Sequence, residues 1–229
     1  MFTELSPGLL LRHYYLEKSN LYKMLVLQTG FCIGLVIFRI LYTGEWMFAF
    51  LIWNLFLVYL PYIVSQYIVQ KGDQLSNGAT LLLLTSWLLL VPNAFYIITD
   101  LFHLENRRPI PLWYDLALLM SFAWNGLIVG VLSVRQIERF LENRWKHTNE
   151  WLFVIPVMAL NAFGIYIGRY LRFNSWDVIT NPLQLIHEVG YLLVHPFRNR
   201  FDWSMIICFT VLLSFVYLTL KNMTSPNKN

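Results

Sequence analysis

The sequence predicts an all-α fold, a polytopic bundle of about six membrane-spanning helices, and three observations carry that expectation. Hydrophobic residues make up 57% of the 229 and charged residues only 13%, with mean hydropathy +0.52. A soluble domain averages about 45–50% apolar and about 25% charged residues, so one soluble core cannot hide this much apolar surface. Six stretches come close to the roughly 20 apolar residues that a span needs, at about 24–42, 46–68, 79–98, 112–134, 151–171 and 203–220. No stretch remains for a separate soluble domain, so residues 1–229 read as a single transmembrane domain. In lipid each span must satisfy its own backbone groups, which makes every one a helix.

The N-terminal stretch "MFTELSPGLLLRHYYLEKSNLYK" has neither an early basic region nor a small-residue cleavage site. It is not read as a signal peptide, and the first span is expected to stay in the membrane. With six spans, the N-terminus, the second and fourth loops and the C-terminus share one side. That side holds ten Lys and Arg, among them Lys23, Lys71, Arg135 and Lys221, against five on the other, Arg107, Arg108, Arg172, Arg198 and Arg200. The bias predicts both termini in the cytoplasm. Trp46, Trp113, Trp151 and Trp203 lie near span ends, where aromatic belts form. The basic residues are scattered, which argues for the lipid bilayer and against nucleic acid as partner. Cys32 and Cys208 lie in apolar runs with no spacing for a disulfide framework or zinc site.

The fifth loop contains its own short helix, 182–195. Asn181 is the expected N-cap, Pro182 the first helical residue, Gln184 the partner in a capping box, and Pro196 the stop. At 3.6 residues per turn Gln184, His187, Glu188, Tyr191 and His195 share one face and aliphatic residues cover most of the rest. The helix is too short to span and is expected in the interface or as a re-entrant piece.

Within the spans, "IWNLFLVY" is echoed by "AWNGLIVG" and "PNAFYI" by "LNAFGIYI". Both a duplicated two-helix unit and chance in an apolar chain account for this. Asn54, Asn93, Asn125 and Asn161 are costly inside lipid, so each needs a bonding partner across helices or a function. For Asn93 there is a local role as well: Pro92 deprives the carbonyl of Leu88 of its usual donor, and a neighbouring amide could take that bond.

Chemistry-bearing groups collect on the side opposite the termini. Asp100 and His103, spaced i, i+3, end the third span; Asp115 begins the fourth; Arg169, Arg172, Asn174 and Asp177 follow the fifth; His187 lies on the loop helix. Asp100, His103, Asp115 and His187 are the candidate acid, base or catalytic groups, and Asp100, His103 and His187 the candidate metal ligands. Asn93, Arg169, Arg172, Asn174 and Asp177 are the candidate substrate-binding residues, the guanidinium forks matching phosphate oxygens. Each also has a plain role: Asp100 and Asp115 as charges at helix ends, the arginines as snorkelling side chains, Asn174 as a turn cap.

"PNAFYIITDLFHL" (92–104), "PLWYDLALLMSFAWNG" (111–126) and "GRYLRFNSWDVITNP" (168–182) together resemble a bacterial membrane family known as domain of unknown function 1361. The resemblance runs from the second span onward and implies a multi-pass protein of the bacterial cytoplasmic (inner) membrane. It points at Pro92, Asn93, Tyr96, Thr99, Asp100, His103, Asp115, Arg172, Asn174, Trp176 and Asp177, and implies no reaction or cofactor. Three functions fit: a membrane-embedded enzyme acting on a lipid-linked or phosphate-bearing substrate, a transporter with a site between helix pairs, and a non-catalytic subunit bound to another membrane protein. The titratable layer favours the first.

Overall fold

The computed structural model describes residues 7–106, 109–145, 150–173 and 177–224. Among them every regular element is helical, and six helices are long and apolar enough to cross a membrane. This is a multi-pass membrane protein.

Helix α1 (Pro7–Thr43) starts well before the expected first span, and its apolar part is Asn20–Thr43. It stops at Gly44, whose φ of +72° is a left-handed conformation that favours glycine, with the Gly44 amide on the Ile40 carbonyl. Helix α2 (Phe50–Lys71) contains Pro61. Ser133 donates to the Pro61 carbonyl at 3.0 Å, so a neighbouring helix braces this point. Helix α3 (Asn77–Leu90) is capped by Ser76, whose hydroxyl accepts from the Ala79 amide.

The third span then breaks. Pro92 opens α4 (Pro92–Tyr96), and a 3₁₀ segment, Ile97–His103, carries the chain to the membrane edge. At the break the Ala94 amide bonds the Val91 carbonyl, one residue nearer than an α-helix would have it. That deprives the Leu90 carbonyl of its α-helical donor, and Asn93 Nδ2 supplies one at 2.9 Å. The repair bond expected on Leu88 therefore goes to Leu90.

Helix α5 (Leu112–Trp145) is the hub, with 67% of its most apolar stretch buried against 39% or less in the other spans. Helices α6 (Glu150–Arg169) and α9 (Arg200–Thr224) complete the bundle, with the single turn α7 (Asp177–Thr180) and α8 (Pro182–Val194) between them. Asn181 precedes α8 as expected but makes no side-chain capping bond. Only Leu192 of α8 is buried, so the helix lies on the bundle and does not cross it.

Glycines on two helices let α4 sit deep between them. A Cβ at Gly126 of α5 would strike Ile97 Cγ2, and one at Gly164 of α6 would lie 2.6 Å from Pro92 Cβ. Gly130 and Gly168 stand one turn further along, against Ala94 and Tyr96. Two Gly-x-x-x-Gly runs thus clamp the broken segment, the small-residue contact that close helix packing in lipid requires.

Interhelical amides and hydroxyls act mainly as braces. Tyr59 donates to Asn125 at 3.3 Å, and Asn125 donates to Thr29 at 3.2 Å, which ties α1, α2 and α5 together. Asn161 turns back onto its own helix, at the Val157 carbonyl. The echoed motifs therefore do not play matched roles: Asn54 and Asn125 sit in different networks, and only the third span breaks at its Asn-Ala-Phe. At the far end from His103, Glu138 of α5 accepts from Tyr217 and Lys221 of α9 at 2.6 and 2.8 Å. Lys221 also meets Glu150 of α6 at 2.9 Å, a three-helix clasp.

Candidate functional site

A cavity of about 550 Å³ lies between α2, the α3–α4 break, α6 and Leu185 of α8. Its polar end gathers Asn54 from α2, Asn93 and Tyr96 from α4, Asp100 and His103 from the 3₁₀ segment and Arg169 from the end of α6. A 3₁₀ helix repeats every three residues, so Asp100 and His103 stack one above the other on the same face.

Asp100 is 1% exposed. Its Oδ2 accepts from Asn54 Nδ2 at 2.8 Å, and its Oδ1 lies 3.9 Å from Arg169 Nη1, an ion pair without a hydrogen bond. Arg169 Nη1 is 3.2 Å from His103 Nε2. A guanidinium can only donate, so Nε2 is the acceptor and the ring proton belongs on Nδ1. The imidazole is steadied from the other side by an edge contact with Phe50, ring centres 5.2 Å apart. Arg169 also lies over the Phe102 ring at 5.3 Å. Among the described residues Arg169 makes no second hydrogen bond, although a guanidinium carries five N–H donors. Its side chain remains 19% exposed.

This layout bears on the metal expectation. Asp100 Oδ1 and His103 Nε2 both lie near Arg169 Nη1, at 3.9 and 3.2 Å, so the cation beside both groups in this structure is a guanidinium. The third expected ligand, His187, is on α8 with its side chain 78% exposed and 4.0 Å from Glu188. Among the described residues no three His, Cys, Asp or Glu side chains converge.

Other expected site residues lie elsewhere. Asp115 is outside this cavity, in a buried fork with Arg39: Nε to Oδ1 at 2.8 Å and Nη2 to Oδ2 at 3.2 Å. Arg172 is exposed, with a left-handed φ of 59° in the turn after α6. Asp177 is buried and accepts from Thr180 within α7. Asn174, like Trp176, falls outside the described residues. Of the expected set, the cavity brings together Asn93, Asp100, His103 and Arg169.

Two partners were invisible to sequence reasoning by local pattern: Asn54, which holds Asp100 from 46 residues away, and Arg39, which neutralises Asp115 from 76 residues away. The glycine clamp could have been found. "GLIVG" and "GIYIG" are Gly-x-x-x-Gly runs inside apolar spans, a recognised signal for close helix contact.

A family model described as "Protein of unknown function (DUF1361)" matches residues 53–216, and the chain belongs to that family. No curated protein and no solved structure gives a match.

Proposed function

We propose that this member of the DUF1361 family is a membrane-embedded enzyme that takes a phosphate-bearing, lipid-linked substrate, with Arg169 holding the phosphate and Asp100 handling the proton. The observation that carries the reading is the pairing, on one cavity wall, of an under-bonded guanidinium with a carboxylate oxygen that makes no hydrogen bond among the described residues. Spare N–H donors of Arg169 match phosphate oxygens two at a time. Asp100 Oδ1 faces the same space, where it would receive the proton of an attacking hydroxyl as the new O–P bond forms and return it to the leaving oxygen as the old bond breaks. Charge favours that order. Once Asp100 has taken the proton it no longer repels the phosphate, and Arg169 is left to neutralise it. His103 is a positioning residue in this scheme, since its Nε2 fixes the guanidinium.

The family resemblance supports a bacterial cytoplasmic membrane and the lysine and arginine bias supports both termini inside, an arrangement with the polar end of the cavity on the outer face. Thiol labelling of single cysteines placed at each terminus and beside Glu105 tests that arrangement. For the activity, wild-type and Asp100→Asn proteins in nanodiscs are incubated with phosphorylated lipid extract from the expression host, and products are read by mass spectrometry. The expected result is turnover by wild type only, with both proteins folded and both retaining bound phospholipid species. Equal turnover by the two would remove Asp100 from the chemistry and the reading with it.

The broken third span favours a second reading, a transporter, because discontinuous helices build midplane sites in many carriers. In that case solute uptake into vesicles would depend on Asn93 and Asn125 more than on Asp100.

A further inference from the structure

The cavity has a second half that the chemistry at Arg169 does not use. Beyond the polar end its walls are Leu57, Leu88, Leu89, Leu160 and Phe163, with no charged group among them. Leu160 stands nine residues before Arg169 on α6, a rise of about 13 Å at 1.5 Å per residue. The hydrocarbon half-thickness of a bilayer is about 15 Å, so the cavity runs from the membrane edge almost to the midplane. Two of its walls, Leu89 on α3 and Leu160 on α6, are 52% and 48% exposed. An exposed leucine in a spanning helix faces lipid, so these two form the lips of a sideways opening. The break at Pro92 lies between them: α4 is held close to α6 at Gly164, where a Cβ would meet Pro92.

We infer that the hydrocarbon chain of the substrate lies in this half and enters from the bilayer between α3 and α6, which makes the substrate a phosphate-headed amphiphile with one chain at the site. The head assignment rests on the proposed function; the chain assignment rests on the walls and lips. A cavity of about 550 Å³ is the size of a small-ligand pocket, roughly 300–1,000 Å³. It holds a head and the first part of one chain, and the remainder passes between the lips into lipid.

The probes are decyl phosphate and inorganic phosphate, added to protein in phosphatidylcholine nanodiscs and followed by phosphorus NMR. Comparing variants with the same probe cancels the probe's own partition into the bilayer. Leu89→Trp with Leu160→Trp, which narrows the mouth, is expected to weaken decyl phosphate at least tenfold and leave inorganic phosphate within twofold. Arg169→Met is expected to weaken both at least tenfold. Unchanged decyl phosphate binding in the tryptophan variant would overturn the chain site and leave the head reading standing. Unchanged binding in Arg169→Met, or a wild type that binds neither probe, would overturn both. If the tryptophan variant does not fold, Leu89→Ala with Leu160→Ala serves instead: the widened mouth should improve binding of two-chain phosphatidic acid at least threefold, and no gain counts against the sideways opening.

Discussion

Two acid–arginine pairs with buried carboxylates sit at the same end of the bundle, and they are built differently. Arg39 and Asp115 form a two-bond fork with both side chains 2% exposed, and the guanidinium is stacked 4.5 Å over Phe48. Only Arg39 Nη1 lacks a hydrogen bond there, with Glu45 at 4.0 Å. Asp100 and Arg169 are 3.9 Å apart, share no hydrogen bond, and open onto a cavity. A closed fork has little left to offer a ligand, so it serves as a staple between α1 and α5. The open pair keeps donors and an acceptor unspent beside a space that a ligand can enter. A buried carboxylate, which both pairs share, therefore does not set the second pair apart; incomplete bonding next to a cavity does.

The sharpest way to break the comparison is to remove one partner from each pair. Arg39→Leu strands Asp115 without its cation, and loss of one partner of a buried pair costs about 3–5 kcal/mol. Folded yield by size-exclusion chromatography and the unfolding midpoint in detergent should both collapse. The double variant Arg39→Leu with Asp115→Leu should recover much of that loss, because no charge is then left unpaired. Asp100→Asn should do the reverse. Its stability should stay within about 1 kcal/mol, since an amide can still accept from Asn54, while turnover falls by about 10²-fold or more, the usual weight of a general base.

Smaller effects sharpen the picture. Gly164→Val should push against Pro92 and destabilise by about 1–3 kcal/mol through overpacking, and it should disturb the cavity with it. Arg169→Lys keeps the charge but loses the planar fork, so phosphate binding should weaken while the protein stays folded. His187→Ala should change stability by no more than about 0.5 kcal/mol and leave turnover intact, because the side chain is exposed and away from the cavity. Dialysis against a chelator should likewise leave binding unaltered if Arg169 is the cation of the site.

The spans were readable because lipid demands long apolar runs and nothing else in the chain imitates them. Their ends were less so: α1 continues back to Pro7 with polar residues that no hydropathy pattern would assign, and the third span reaches His103 by changing its winding. The face shared by Asp100 and His103 was legible from spacing alone. What they face was not. Arg169 was expected on the same side of the membrane, but its meeting with both groups depends on α4 being drawn against α6, and that depends on Gly164 and Gly168, which carry no chemistry of their own. Asp115 shows how little a local pattern says of a partner. A carboxylate at the start of a span looks the same in sequence whether it faces a cavity or a cation, and Arg39, the partner it meets, lies 76 residues away.

The winding of Ile97–His103 works as a change of thread on a screw. Seven residues at about 2.0 Å each advance the chain by roughly 14 Å, where an α-helix would advance it about 10.5 Å. The coarser thread brings His103 up to the level of the last turn of α6. Rewinding it as an α-helix would turn His103 by about 60° relative to Asp100, from three residues at 120° to three at 100°, and take the imidazole off the guanidinium. The length and pitch of this one segment therefore act as a gauge: they fix the azimuth of the imidazole, and through it the aim of Arg169.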